Sequence, residues 1–249
     1  MVRTFLRDLA VPMTWLLLHT PISANQVTIA ATIVGMIACS IIAIPGTSYF
    51  FSACLLLQFW YYLDHVDGQI ARYRKQSSLS GRFFDFIMHH LIHHMLILGI
   101  SLYAYQIEGT IFSLCLGMMM SVLISIFNLS YDAEAKTFLE KLLSDSSEKP
   151  LKINPQNLAD QKEASHSNHS KNKFKFLYSL IHKSCEIHVM MNLLTLFSIL
   201  ELFKIGDFSW RLLTWKIYLV LIPILTLTKL YHVIQNKKID ERFNHYFQQ

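Results

Sequence analysis

"YYLDHVDGQIARYRKQSSLSGRFFDFIMHHLIHH" occupies residues 61–94 and carries three aspartates and five histidines. Long apolar runs precede and follow it, so these polar groups lie in a chain that is otherwise strongly hydrophobic at this point. Carboxylates in or beside an apolar layer are costly, and they persist mainly where they pair with a charge, bind a cation or take part in function. Whether these acids have a functional role therefore depends on whether the flanking apolar runs cross a membrane.

The composition is that of a membrane protein. Of 249 residues, 53% are hydrophobic and 16% are charged, and the mean hydropathy is +0.34. The apolar residues form blocks of about 20, the length that an α-helix needs to cross a hydrocarbon layer of about 30 Å. We expect an all-α, polytopic membrane protein with six transmembrane helices. The predicted spans are about 27–44, 49–66, 83–105, 111–129, 189–203 and 212–231.

Two further segments complete the predicted organisation of one membrane-embedded domain, residues 1–249. Segment 3–19 begins with basic residues and has Trp15 among leucines, which favours an N-terminal interfacial segment in contact with membrane lipids. Residues 144–173 are rich in Ser, Asn, Lys and Glu and lack an apolar period. This composition predicts a disordered cytoplasmic loop.

The distribution of positive charge predicts the orientation. Of 22 Lys and Arg residues, only Lys204, Arg211 and Lys216 fall near the turn between the last two spans, and the other 19 fall on the opposite side. Lysine and arginine collect on the cytoplasmic side of membranes. Both termini and the 61–94 stretch are therefore expected to face the cytoplasm, in a bacterial inner membrane or another membrane that borders the cytoplasm. The net charge of +5 then reflects topology, and no nucleic-acid partner is expected.

Helical spacing brings the acids of the stretch onto shared faces. Asp64, Asp67 and Ala71 stand at i, i+3 and i+7, and Asp85 and His89 stand at i and i+4. Two helix ends would thus direct carboxylates toward one another at the membrane boundary. Clustered carboxylates repel unless a cation neutralises them, and oxygen ligands suit Mg²⁺ or Mn²⁺.

Arginine beside such a cation favours a diphosphate ligand, because both stabilise the negative charge of phosphoryl transfer. Arg72 is the arginine placed for this, and small residues nearby leave room for a nucleotide. The alternative, left open by the acids alone, is that they only form ion pairs at the headgroup layer. Their partners would then be Arg72, Arg74, Lys75 and Arg82.

The stretch resembles the motif of the CDP-alcohol phosphatidyltransferase family, D-x2-D-G-x2-A-R-x8-G-x3-D-x3-D. Seven of the eight defined positions match with every gap intact, namely Asp64, Asp67, Gly68, Ala71, Arg72, Gly81 and Asp85. The motif covers 26 residues, and "NQVT" at Asn25–Thr28 also resembles the family. The resemblance implies a transferase that moves a phosphatidyl or similar phospho-group from CDP-diacylglycerol or a CDP-alcohol to an alcohol acceptor, with release of CMP. A homodimer is compatible with it.

The resemblance also implies roles for individual residues. Asp64, Asp67 and Asp85 would hold Mg²⁺ or Mn²⁺ against the diphosphate, and Arg72 would bind phosphate. Gly68, Ala71 and Gly81 would make room for cytidine. Arg82, Lys183 and His188 are candidates for binding an acceptor that is itself a phosphate.

The chain departs from the motif at its last position, where His89 replaces the final aspartate. In the family this acid is proposed as the base for the acceptor hydroxyl and is often also a metal ligand. An imidazole can accept a proton near neutral pH, so we expect His89, with Asp85, to be catalytic. It could instead be a nitrogen ligand that shifts the metal preference. A third possibility is an inactive family member that binds a nucleotide or a partner protein.

Overall fold

The computed structural model describes residues 7–148, 152–153, 183–206, 208–235 and 247–248. The helices are α1 (Val11–Leu18), α2 (Ala24–Ile42), α3 (Thr47–Tyr73), α4 (Leu79–Glu108), α5 (Ile111–Glu148), α6 (Ile187–Leu202) and α7 (Trp210–Gln235). Two short strands, β1 (Lys152–Ile153) and β2 (Phe247–Gln248), pair antiparallel. The predicted all-α class is confirmed.

Helices α2 to α7 coincide with the six predicted spans. Four of them are long and apolar enough to cross a membrane: α2, α4, α7 and the part of α5 at Ile111–Ser144. Helix α6 is apolar but has only 16 residues. Helix α3 is less hydropathic because tyrosines, glutamine and two aspartates interrupt its apolar run. The membrane class is thus confirmed, and the count of six spans stays a prediction.

Helix α5 continues well beyond the predicted end of the fourth span. Residues 130–148 are rich in Ala, Leu, Glu and Lys, which favour helix even where they are too polar for a membrane. Residues 144–148 of the predicted disordered loop are therefore helical, and Lys152–Ile153 lie in β1. The rest of that loop lies outside the described residues.

The chain forms two compact units. One comprises Met1–Ser121 and Ser184–Leu219, and the other comprises Val122–Lys183 and Val220–Gln249. Every predicted site residue belongs to the first unit except Lys183, a candidate for binding the acceptor, which belongs to the second. The single domain expected from the sequence stays a prediction.

Within the first unit, α2 packs against α3 and α4. Its start is set by a capping box, in which Ser23 and Gln26 exchange side-chain and backbone hydrogen bonds. The α2 and α4 backbones come close enough at Gly99 that any side chain there would collide with the Cys39 carbonyl. This close packing holds α4 directly against α2.

Helix α1 packs one face on α3 and exposes the other. Ala10 is buried in a cluster with Val27, Val66 and Ile70. On the outer face Trp15 is 63% exposed, next to exposed Leu16. Pro12 lies in the first turn, where a missing backbone N–H does no harm, so it does not break the helix. This arrangement supports the predicted interfacial segment.

Candidate active site

The end of α3 and the start of α4 bring the two halves of the motif together. A short turn at residues 74–78 joins them, with Lys75 in the left-handed region at φ 54°. Ser78 then caps α4, because its hydroxyl accepts a hydrogen bond of 2.9 Å from the Gly81 N–H. Asp64 and Asp67 on α3 consequently lie opposite Asp85 and His89 on α4, as the spacing predicts.

Three side chains of the motif converge on one point. His89 Nε2 lies 2.7 Å from Asp64 Oδ1, a hydrogen bond in which the ring N–H donates, and 3.5 Å from Asp85 Oδ1. The donor atoms of Asp64, Asp85 and His89 all lie within 4.8 Å of one another. Asp64 and His89 are half-buried, whereas the Asp85 side chain is 49% exposed. We call these three residues the cluster.

Asp67 is adjacent to the cluster but is held separately. It is 7% exposed, and its Oδ2 accepts a hydrogen bond of 2.5 Å from the hydroxyl of Thr28 on α2. In the sequence, Thr28 was noted only as the last residue of NQVT, the segment that resembles the family. The available signal is the spacing of Asn25, Thr28 and Thr32 at i, i+3 and i+7, a polar stripe on an otherwise apolar helix.

Two cavities meet at the motif. The smaller, of about 230 Å³, is lined by the start of α2 and by small side chains of the α3–α4 turn. The larger, of about 630 Å³, contains the cluster and is also lined by Arg7, Tyr61, His65 and His188. Four residues line both cavities: Asp67, Gly68, Arg72 and Asp85.

The residues predicted to accommodate a nucleotide lie around the smaller cavity. Gly68, Ala71, Arg72 and Gly81 all line it. A Cβ on Gly81 would come within 3.1 Å of Ser78 Oγ, and one on Gly68 within 3.3 Å of an Arg72 guanidinium nitrogen. A larger residue at Gly68 would therefore crowd Arg72, and one at Gly81 would crowd Ser78.

Ion pairing of the acids with nearby arginines does not explain the motif. Arg74 instead donates to backbone carbonyls, including those of Thr20 at 2.7 Å and Leu17 at 3.2 Å. Among the described residues, the ion pairs of Asp64 and Asp85 are with histidines. The carboxylates are thus left available to a ligand.

Aromatic rings surround the His89 side chain. The Trp60 ring centroid lies 5.2 Å from that of His89, and the His188 ring meets it edge-on at 5.7 Å. Tyr61 in turn packs against His188 at 4.3 Å. His188, one of the predicted acceptor-binding candidates, thus lies beside the cluster, whereas Arg82 lines the smaller cavity. Arg7 lines the larger cavity and has no periodic signal in the sequence that could have revealed it.

The donor set of the cluster fits a divalent cation. The cluster provides two carboxylate oxygens, from different helices, and one imidazole nitrogen. These three atoms lie close enough together to bind one ion. Asp67 lies at the junction of the two cavities and adds a further carboxylate. A group of acids at the edge of a polar cavity, one of them buried, is typical of an enzyme that handles a charged substrate.

Comparison with known proteins places the chain among such enzymes. The sequence model of the family "CDP-alcohol phosphatidyltransferase" matches residues 21–146, half of the chain. This chain belongs to the CDP-alcohol phosphatidyltransferase family. It is accordingly a membrane transferase that moves a phosphatidyl or similar phospho-group from a CDP-linked donor to an alcohol.

A solved structure shares the fold. It is the crystal structure of Mycobacterium tuberculosis phosphatidylinositol phosphate synthase with CDP-DAG bound, with a TM-score of 0.60 and 11% identity. The alignment covers 92% of this chain and 94% of that one. Identity this low supports the likeness of fold alone. The search of curated proteins finds no match.

Proposed function

We propose that the two cavities divide the transferase reaction between donor and acceptor. The CDP moiety of the donor, CDP-diacylglycerol or a CDP-alcohol, occupies the smaller cavity, where Gly68, Ala71 and Gly81 leave space and Arg72 binds phosphate. The alcohol acceptor enters the larger cavity. The observation that carries this proposal is that the acids and Arg72 lie where the two cavities meet.

The carboxylates of the motif are proposed to hold a divalent cation. Asp64 and Asp85 belong to the cluster, and Asp67 is kept at its edge by Thr28. Mg²⁺ or Mn²⁺ bound there would neutralise charge on the diphosphate and on the leaving CMP. The protein's own part is to keep the acids in place, with Asp67 buried and lining both cavities.

The reaction is a displacement at the phosphorus attached to the lipid or alcohol moiety. The acceptor oxygen forms a new bond to that phosphorus while the bond to the CMP oxygen breaks, and CMP leaves with the electron pair. The proton of the acceptor hydroxyl goes to the His89–Asp85 pair, which lines the larger cavity. Residues of α3 and α4 would thus act together on one phosphorus, with the acceptor oxygen arriving and CMP leaving.

We propose, from the distribution of Lys and Arg, that the active site and both termini lie on the cytoplasmic side of the membrane. Two of the three positive residues near the opposite turn have internal partners. Arg211 is fully buried and donates to the carbonyls of Ile42 at 2.8 Å and Ile44 at 2.7 Å, and Lys216 lies 3.5 Å from Glu108. That side therefore presents even less free positive charge than the sequence count suggests.

Detection of released CMP tests the proposal. Purified full-length protein with Mg²⁺ or Mn²⁺ should release CMP from CDP-diacylglycerol or CDP-choline when a panel of alcohols is supplied. Asp67→Asn should abolish this release, because the amide cannot supply the negative charge of the carboxylate. Wild-type protein that releases no CMP with any donor and acceptor would favour the inactive, nucleotide-binding alternative.

A further inference from the structure

The histidine at the last motif position places a nitrogen donor inside the carboxylate cluster. His89 Nε2 is 2.7 Å from one carboxylate oxygen of Asp64 and 3.5 Å from one of Asp85. The Trp60 and His188 rings pack around the imidazole and restrict its rotation. The nitrogen is therefore directed at the point on which the two carboxylate oxygens converge. A cation at that point would replace the Nε2 proton that Asp64 accepts here, and the neutral ring would then carry its proton on Nδ1.

A single lone pair limits what this nitrogen can do. A neutral imidazole nitrogen that binds a cation cannot also accept a proton, whereas a carboxylate has a second oxygen available. Asp85 is half exposed and lines both cavities, so it can meet an acceptor hydroxyl as well as the cation. Of the two roles proposed for this pair, His89 can thus bind the cation while Asp85 accepts the proton of the acceptor hydroxyl.

We infer that His89 Nε2 is a ligand of the divalent cation, that it makes the site select Mn²⁺ over Mg²⁺, and that Asp85 receives the proton of the acceptor. This inference rests on the proposed function, because it concerns the cation that the carboxylates are proposed to hold. It assigns His89 the ligand role rather than the base role favoured by the sequence.

The preference follows from the ligand atoms. Mg²⁺ is a small hard ion that favours oxygen ligands and retains its waters. Mn²⁺ accepts carboxylate oxygens as readily and binds nitrogen ligands better than Mg²⁺ does. Exchanging one aspartate of an all-carboxylate site for an imidazole therefore increases the preference for Mn²⁺ over Mg²⁺.

Electron paramagnetic resonance of bound Mn²⁺ provides a readout that does not require turnover. Electron spin echo modulation detects a ¹⁴N nucleus coordinated to the ion, and titration with Mg²⁺ measures competition between the ions. His89→Asp restores an all-oxygen site, and His89→Asn removes the imidazole without adding charge. His65→Asn is the matched control, because His65 lines the same cavity and lies outside the cluster.

Wild-type protein and His65→Asn should show the ¹⁴N coupling, and both His89 variants should lose it. Mg²⁺ should also displace Mn²⁺ more readily from His89→Asp than from the wild type. The inference is overturned if wild-type protein binds no Mn²⁺ or binds it without the coupling. It is also overturned if the coupling survives in a folded His89 variant, or if the competition is unchanged. Circular dichroism identifies a variant that has not folded, and the two His89 variants provide independent tests.

The same preparations separate this inference from the transferase proposal. The ¹⁴N coupling and the competition are measured without donor or acceptor, whereas CMP release is measured with both. Absence of CMP release with either ion contradicts the proposed function even where the coupling is present. Release of CMP by a protein without the coupling contradicts only the assignment of His89.

Discussion

At the residue scale, Thr28 has the clearest supporting role. Its hydroxyl donates to Asp67 Oδ2 across the boundary between α2 and α3, while Asp67 itself is almost fully buried. A carboxylate in such a position depends on its donors, because water cannot replace them. Thr28 therefore helps to hold the Asp67 carboxylate in place at the wall of the smaller cavity.

Replacing Thr28 by valine should lower kcat/KM for the CDP-linked donor. Thr28→Val keeps the shape of the side chain and removes its hydroxyl. The loss of a hydrogen bond to a charged group, about 1.5–3 kcal/mol, corresponds to roughly a tenfold or larger fall in kcat/KM for the CDP-linked donor. The rate of CMP release at varied donor concentration measures this effect.

Thr32→Val is the matched control. Thr32 lies one turn further along α2, and its hydroxyl donates to the Thr28 carbonyl at 2.8 Å. Its replacement should leave kcat/KM close to that of the wild type. Equal losses in the two variants would show that Thr28 acts on α2 packing rather than on Asp67.

At the scale of elements, one side chain attaches the N-terminal segment to the site. The Arg74 guanidinium, at the end of α3, donates to four carbonyls that follow or end α1. Gln69 adds a hydrogen bond of 2.6 Å to the Arg7 carbonyl and accepts one of 2.8 Å from Thr14. Through these bonds α3 holds both α1 and Arg7, which lines the larger cavity.

Removing this attachment should loosen the segment without unfolding the chain. In Arg74→Ala, the carbonyls at the end of α1 lose a charged donor, so the segment should separate from α3 more often. We expect faster trypsin cleavage after Arg7 and a lower thermal midpoint. Lys75→Ala is the control, because Lys75 is exposed in the adjacent turn. Identical cleavage rates in both variants would contradict this role of Arg74.

At the scale of the whole molecule, the distribution of charge predicts orientation in the membrane. Lys75 and Lys204 form a useful pair of markers, because both are exposed turn residues with φ 54° and lie at opposite ends of the predicted spans. Lys75 belongs to the side rich in Lys and Arg, whereas Lys204 belongs to the poor side. The side of the membrane on which each is accessible reports the topology.

Cysteine labelling measures this accessibility. In a Cys115→Ser background, which removes the one exposed cysteine among four, a membrane-impermeant maleimide applied to intact cells should label Lys204→Cys. Lys75→Cys should react only after the membrane is permeabilised, because it faces the cytoplasm. Labelling in the reverse order would invert the proposed orientation and place the active site outside.

The sequence by itself determined the class of the molecule and the components of its site. Apolar blocks predicted where six helices lie, because the length needed to cross a membrane is set by the thickness of the hydrocarbon layer, but they did not predict the polar extensions of α3 and α5. Helical periodicity predicted that Asp64 and Asp67 would face Asp85 and His89, because side chains three, four and seven residues apart share a face. The family motif extended these local rules to the type of reaction.

Only the tertiary structure decided which groups meet across helices. The hydrogen bond from Thr28 to Asp67 and the position of His188 beside His89 join residues that are far apart in sequence. Such contacts depend on how helices pack, which periodicity within one helix does not specify. The direction of His89 Nε2 depends on that packing too. The sequence showed that an imidazole replaces an aspartate. The fold directs the Nε2 of that imidazole toward Asp64 and Asp85, where we propose that it binds the cation.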